Sequence, residues 1–227
     1  PDIALPEGLN IASNLELRFK SDMSVPEFEA GKTRFADLLP TLRNCHIQLN
    51  TGDISYQGNR ISAPALTIHA EGIEWADASL GLRSLAIDAM VGKASAEEYQ
   101  ASASDFLLNI KLDELKWNQN EESLTAGKAD FRTSATQTRM ESTHLENLHA
   151  TASVADFSLR GSQVSSGSLA AKISAQGAGY DSTTAKDIHF TLDVPQGIST
   201  ADEWQKLKTG ALLEASISEL LHGSEFK

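Results

Sequence analysis

The sequence predicts a mainly β protein, an extended antiparallel meander folded as a curled sheet or a sandwich, with two covering or terminal helices. Apolar residues occupy every second position in segment after segment, which is typical of strands that bury one face. The clearest such segment is 106–113, and 188–194 and 169–175 repeat the pattern. Turn residues separate the segments at intervals of about ten residues, as expected of an all-β chain. The low aromatic share of 6% also favours an extended sheet over a thick globule.

Strands are predicted along most of the chain as far as Val194. The first lies within 11–19, and the period of two returns at Cys45 after an interruption. Further alternating sets are Ile47 and Leu49, Leu66 and Ile68, Leu85 and Ile87, Leu115 and Trp117, and Ala129 and Phe131. Glycine or Asx residues end most of the segments, as in Gln57–Arg60. No strict repeated sequence and no fixed period is evident, so neither a propeller nor a β-helix is predicted.

Two helices are predicted, over 26–39 and 200–221. Ser24 is suited to cap the first helix, and Ser199 or Thr200 the second. Apolar residues follow at helical spacing: Phe28, Phe35, Leu38 and Leu39 in the first segment, and Trp204, Leu207, Ala211, Ala215 and Leu221 in the second. Helices packed on the open face or at the end of a sheet are the ordinary way to cover apolar surface, and we expect that role here.

The 227 residues are predicted to form a single β-rich domain over 1–227. The chain begins at Pro1 without a methionine and ends in 223–227, where the Gly-Ser and Glu-Phe pairs are typical of cloning-site residues. We therefore expect an excised soluble fragment of a longer protein. The sequence contains neither a recognisable signal peptide nor an apolar run long enough to span a membrane.

Charge restricts the classes of partner. The chain carries 19 basic and 31 acidic residues, for a net charge of −12. Such a chain repels the phosphate backbone of nucleic acids, so no nucleic-acid partner is expected. Electrostatic docking on anionic headgroups is disfavoured for the same reason, which leaves hydrophobic contact with acyl chains as the expected route to lipid. Cys45 is the single cysteine, and its strand parity with Ile47 and Leu49 predicts a small buried apolar residue.

The sequence contains no recognisable catalytic motif, and the protein is expected not to be an enzyme. His144 and His149, with Glu141 and Glu146 nearby, come nearest to a metal cluster. A separation of five residues places the two histidines on opposite faces of a regular strand, so no metal site and no cofactor are predicted. The Gly-x-Ser-x-Gly turn of a nucleophilic serine is also absent.

The opening residues and the strand texture resemble those of a known group of proteins. Leu5–Ile11 (Leu-Pro-Glu-Gly-Leu-Asn-Ile), followed by alternating strands such as Gly52–Ile61, resembles the periplasmic repeats of the AsmA-like and YdbH- or TamB-like envelope proteins of Gram-negative bacteria. The resemblance covers residues 1–20 and 45–195. It implies a long curled antiparallel sheet with an apolar groove, a periplasmic or cell-envelope location, a membrane-anchored parent protein, and lipid transport or envelope assembly. The two predicted helices depart from that pattern.

The first hypothesis is a non-enzymatic envelope module that binds or conducts phospholipid, fatty acid or another hydrophobic ligand along an apolar sheet face. The residues expected on this face are Leu66, Ile68, Leu108, Ile110, Leu112, Ile173, Phe190 and Leu192. The alternative is a structural or protein-interaction domain, such as an adhesin or a secretion or assembly component, whose β core is filled and whose edges or helices bind an envelope protein. An enzyme is the third hypothesis, and it would require a cleft that joins His144 or His149 to acids distant in sequence.

Overall fold

The computed structural model describes residues 10–11, 16–24, 41–76, 78–200 and 210–223. Within this part of the chain, sixteen strands form one sheet, and all their pairings are antiparallel. The strands are β1 (Asn10–Ile11), β2 (Glu16–Ser24), β3 (Thr41–Asn50), β4 (Ile54–Tyr56), β5 (Asn59–Ser62), β6 (Ala65–Glu71), β7 (Glu74–Ala76), β8 (Ser79–Ala96), β9 (Ala101–Asn118), β10 (Ser123–Met140), β11 (Thr143–Arg160), β12 (Gln163–Ser165), β13 (Ser168–Tyr180), β14 (Thr183–Val194), β15 (Leu212–Ser216) and β16 (Glu219–His222). The predicted mainly β, antiparallel class is confirmed.

The sheet is a meander of long strands. Strands β8 to β11 contain 18 residues each, and each pairs with the next in chain order. Several shorter strands pair in succession along one long strand. β5, β6 and β7 all pair with β8, and β12 and β13 both pair with β11. Within the described residues, β2 pairs only with β3, and β15 pairs only with β14. The sheet is therefore open.

Left-handed residues interrupt the strands at regular positions. Ala63, Asp105 and Asn147 follow one another at intervals of 42 residues and have φ angles of 45°, 50° and 48°. Nine residues after each of them come Gly72, Glu114 and Asp156, with φ angles of 61°, 56° and 50°. Aspartate and asparagine are among the few side chains that tolerate this conformation, and four of the six positions use Asp, Asn or Gly. The structure thus contains a two-strand repeat of 42 residues that the sequence analysis did not recognise.

These interruptions change which residues face each side. In β9, apolar residues stand at Ala103, at alternate positions within 106–112, and at Leu115, so their parity changes at Asp105 and again at Glu114. A left-handed residue within a strand resets the alternation by one position, as a β-bulge does. The pairing with β8 confirms that these residues share one face. Ala103, Leu112 and Leu115 belong to the three segments that the two interruptions separate, and their direct partners on β8 are all apolar: Ala94, Leu85 and Leu82.

The same effect corrects the argument about the two histidines of β11. His144 and His149 were expected on opposite faces because five residues separate them. Asn147 lies between them with a φ of 48° and resets the parity, so both lie on the face opposite Leu145 and Leu148. His144 pairs with Arg139 and His149 pairs with Ser134, so the two histidines lie five residues apart along β11. The residues do not form one cluster.

The helix predictions have different outcomes. The segment 26–39 lies outside the described residues, as does 201–209 within the predicted helix 200–221. In the rest of that second segment the structure has β15 and β16, both paired with β14, so a helix is wrong there. The positions of Leu213 and Ala215 are compatible with both helical and strand spacing. Their pairing with Leu192 and Phe190 shows that the segment is a strand. The described part of the chain contains no helix with the length and hydropathy needed to cross a bilayer.

The described strands form a single layer. The strands whose backbones are in contact are paired neighbours in the sheet, except that β3 also contacts β7 beside the hydrogen bond from the Ile73 N–H to the Arg43 carbonyl. The buried hydrophobic residues among those described are small or medium in size, and no large side chain is fully enclosed; they are Ala70, Ala126, Ala135, Ala175 and Val194. Trp75, the tryptophan of β7, is 65% exposed. Since no large side chain is fully enclosed, the described residues contain no tightly packed core between two layers.

Candidate functional site

One face of the sheet carries rows of apolar side chains that run from strand to strand. Residues that pair directly in neighbouring antiparallel strands project from the same face. The central row crosses ten strands, each member paired with the next: Phe19, Ile47, Ile68, Ile87, Ile110, Phe131, Ala152, Ala171, Leu192 and Leu213. It contains no polar or charged residue. We call the face that bears this row the apolar face.

Two further rows flank the central one on the same face. The second row is Leu17, Leu49, Leu66, Ala89, Leu108, Thr133, Ala150, Ile173, Phe190 and Ala215. The third row is Ser21, Cys45, Ala70, Leu85, Leu112, Ala129, Val154, Leu169 and Val194. Ser21 and Thr133 are the members of the three rows that are neither aliphatic, aromatic nor cysteine, and the Thr133 hydroxyl donates to the Leu107 carbonyl at 2.9 Å.

All eight residues that the sequence predicts for a hydrophobic ligand face lie in these three rows. The structure therefore places them on one face, and their contact with a ligand stays a prediction. The sequence analysis omitted several large members of the same rows, among them Phe19, Ile47, Ile87, Phe131 and Leu213. The signal that could have found them is the same alternation, continued across the left-handed residues.

The apolar face is large and only partly shielded. Ile173 is 45% exposed, Phe131 38% and Phe19 61%. With strands about 4.8 Å apart, the ten strands of the central row span about 43 Å, and the seven residues from Phe106 to Leu112 cover about 20 Å along a strand. This footprint of roughly 900 Å² is the extent of the face and not its exposed area, because seven of the ten side chains in the central row are partly buried.

The opposite face, which we call the polar face, holds the ion pairs along the strands. Lys128 Nζ lies 2.7 Å from the Asp130 carboxylate, and Lys111 Nζ lies 3.1 Å from Asp113. The hydrogen bond from Lys128, together with one from Ser153, holds the pKa of Asp130 below its ordinary value. Each pair joins positions i and i+2 of one strand, which project from the same side. These contacts stabilise the solvated face modestly.

Imidazoles also lie on the polar face. His46 and His69 are direct cross-strand partners, and their ring centroids are 5.7 Å apart. His69 Nε2 lies 2.9 Å from Glu71 Oε1, and this hydrogen bond, with a second from Arg83, lowers the pKa of Glu71. No group of three or more metal-ligating side chains is brought together within the described residues.

Two of the depressions over the polar face lie on either side of the interruption row that contains Asp105 and Asn147. The larger, of about 780 Å³, is lined by residues such as Lys93, Arg139 and His144. The smaller, of about 640 Å³, is lined by residues that include Met90, Leu107, Arg132 and His149. His144 and His149 therefore border separate depressions.

Comparisons with known proteins give no relative on which a function could be based. No model of a known protein family, no curated protein and no solved structure matches the chain. The functional argument therefore depends on the two faces of the sheet.

Proposed function

We propose that the protein is a non-enzymatic module of the cell envelope that binds or conducts lipid, or another hydrophobic ligand, along the apolar face. The observation that carries this proposal is the combination of a continuous apolar central row with the lack of any second layer among the described strands. Apolar surface of this extent is unfavourable in water, and contact with an apolar molecule relieves that cost.

Acyl chains fit this face better than a ligand that needs directional contacts. The central row offers methyl, methylene and aromatic groups from ten strands and no hydrogen-bonding side chain. A row of about 43 Å is much longer than one acyl chain, since a bilayer core of about 30 Å contains two layers of chains. The row could therefore hold several chains in succession, or let one chain pass from strand to strand.

The envelope location rests on the resemblance in strand texture to the AsmA-like and YdbH- or TamB-like proteins. A meander of long strands with one apolar face is the architecture that this resemblance implies. The periplasmic compartment, a membrane-anchored parent protein and phospholipid as the natural ligand all belong to the proposal on the same ground.

A protein-interaction domain is the second candidate function, and the open edges of the sheet favour it. Within the described residues, β2 and β15 each have one unpaired side. An unpaired strand edge can accept a strand from another chain through backbone hydrogen bonds. An assembly component of the envelope would use such edges and have its apolar face covered by its partner.

Mass spectrometry of an organic extract tests the proposed function. The protein is purified without detergent, and an equally acidic soluble protein from the same cells serves as the control. Phospholipid or fatty acid at a stoichiometric level in the extract, and absent from the control, is the expected result. An empty extract from a well-folded monomer contradicts the lipid proposal and favours the interaction domain.

Paired variants then connect the lipid to the face. Ile173→Asp places a carboxylate on the apolar face at a side chain that is already 45% exposed, so folding is expected to survive. Thr151→Asp adds the same charge on the polar face, where Thr151 pairs with Arg132 and Lys172. We expect Ile173→Asp to reduce bound lipid roughly tenfold and Thr151→Asp to leave it unchanged. An equal loss in both variants would argue against binding on the apolar face.

A further inference from the structure

The larger depression on the polar face has a charge opposite to that of the chain as a whole. Its lining includes three cationic side chains, Arg60, Lys93 and Arg139, and the imidazole of His144, against one acidic residue, Glu146. The whole chain carries a net charge of −12. A local group of cations in an acidic protein creates a confined positive potential that attracts anions to one place.

The strand register explains how these residues come together. Arg60, Ser95, Ser102, Arg139 and His144 form one row in which each residue pairs directly with the next. A parallel row two positions along the strands consists of Ser62, Lys93, Ser104, Gln137 and Glu146. Residues from five consecutive strand segments therefore face the same depression, on the side of the sheet opposite Ala94, Ala103 and Leu145.

The cations of this depression are available to a ligand to different degrees. Arg60 is engaged with Asp53 through a contact of 2.5 Å. Arg139 Nε donates to the backbone carbonyl of Glu141 at 3.4 Å, and no carboxylate of the described residues lies within ion-pair distance of Arg139 or Lys93. Arg139 and Lys93 can therefore offer N–H donors to an anion.

Two glycines leave space for the side chains of Glu146 and His144 at the edge of the site. A Cβ atom at Gly177 would lie 3.1 Å from Glu146 Oε2, and one at Gly179 would lie 2.0 Å from His144 Cε1. The side chains of Glu146 and His144 thus lie across the neighbouring strand β13. The Glu146 carboxylate is thereby drawn toward β13, and the serine hydroxyls between Lys93 and Arg139 form the centre of the depression.

We propose that this depression binds a phosphate monoester carried by a small hydroxylated molecule, with the chemistry of a sugar phosphate. Guanidinium and ammonium groups are the usual side-chain partners of phosphate, and serine and glutamine side chains can both donate to and accept from sugar hydroxyls. A volume of about 780 Å³ is within the range of small-molecule sites. The site lies on the face opposite the proposed lipid face and does not depend on it.

Calorimetric titration of the whole protein at low ionic strength tests this site. The probes are glucose 6-phosphate, glucose and inorganic phosphate, and in a separate arm phosphatidylcholine vesicles with and without phosphatidic acid. We expect glucose 6-phosphate to bind more tightly than inorganic phosphate, and glucose to bind weakest. Binding only to the phosphatidic-acid vesicles would assign the same phosphate chemistry to a lipid headgroup.

A charge-matched pair of double variants provides the control. Lys93→Ala with Arg139→Ala removes both available cations, and we expect a loss of at least tenfold in affinity. Lys116→Ala with Lys172→Ala removes the same charge from exposed positions of the polar face outside the depression, and is expected to change affinity less than about twofold. Circular dichroism verifies that both variants are folded. Equal weakening in the two variants, or no binding of any phosphate probe by the unaltered protein, overturns the proposal.

Discussion

The two faces of this sheet are built from the same strands and yet have opposite chemistry. On the apolar face, a row of ten residues from Phe19 to Leu213 contains no polar group. On the polar face, the neighbouring positions carry paired charges such as Lys111 and Asp113. The difference persists over strands of 18 residues only because left-handed residues reset the alternation where it would otherwise drift. The left-handed residues and the alternation therefore together determine which side chains project from which face.

The strongest way to break this difference is to displace one interruption. A glycine inserted between Asp113 and Glu114 moves the left-handed residue by one position along β9, so Leu115 and Trp117 move to the polar face and Lys116 moves to the apolar face. We expect a loss of about 3 kcal/mol in the free energy of unfolding, or outright aggregation. Urea denaturation measures the change in the free energy of unfolding. A glycine inserted between Glu98 and Tyr99, in the turn before β9, is the control, and a similar loss there would contradict the parity argument.

The next effect is the loss of a side chain from the central row. Ile110 pairs with Ile87 and Phe131, so Ile110→Ala is expected to lower the free energy of unfolding by about 1–2 kcal/mol, less than in a closed core. Arg132→Ala, on the polar face of the adjacent strand, should change it by less than about 0.5 kcal/mol. Chemical denaturation of both variants makes the comparison. Equal effects would mean that the two faces contribute alike.

Glycine substitutions test the role of the left-handed residues, because we expect glycine to stabilise the protein at an interruption and to destabilise it elsewhere in a strand. Asp105 has a φ of 50°, and Asp105→Gly is expected to raise the free energy of unfolding by up to about 1 kcal/mol by relieving left-handed strain. Asp193 is an exposed residue within β14 and has no such strain, so Asp193→Gly should lower it by a similar amount. Thermal denaturation followed by circular dichroism measures the stability of both variants. A destabilising Asp105→Gly would argue against the conformation assigned to that position.

The smallest expected effect is a pH dependence of the free energy of unfolding, which arises from an ion pair on the polar face. The pKa of Asp130 is lowered from 3.8, first by its hydrogen bond with Lys128. A lowered pKa in the folded protein means that the stabilisation is present above pH 3.8 and is lost as the pH falls through the folded value. We expect Asp130→Asn to cost less than about 1 kcal/mol at neutral pH and nothing at a pH below both values. A cost that grows on acidification would contradict this sign.

Much of the sheet could be predicted from the sequence because alternation is a local signal. The strands around Leu108 and Ile110, and those around Phe190 and Leu192, needed only the period of two. The eight residues predicted for the ligand face share one face for the same reason. Their exposure could not be predicted, because a sandwich and a single layer have the same alternation in sequence.

The repeat and the last strands were missed for physical reasons. Ala63, Asp105 and Asn147 occupy equivalent positions with three different residue types, so the 42-residue period leaves little trace in the sequence. In 212–222, Leu213, Ala215 and Leu221 fit both a helix and a strand. The pairing of β15 and β16 with β14, a contact distant in sequence, decides between them.

The central claim, an uncovered apolar face that accepts lipid, is tested most directly by fluorescent labels at successive positions of β9. Single cysteines at Leu108, Asn109, Ile110 and Lys111, in a protein with Cys45→Ala, carry an environment-sensitive dye whose emission is recorded with and without added fatty acid. The account predicts that labels at 108 and 110 shift to shorter wavelength when fatty acid is added, while those at 109 and 111 do not. Labels at 108 and 110 that are already shielded from water without ligand, and unaffected by fatty acid, would contradict it.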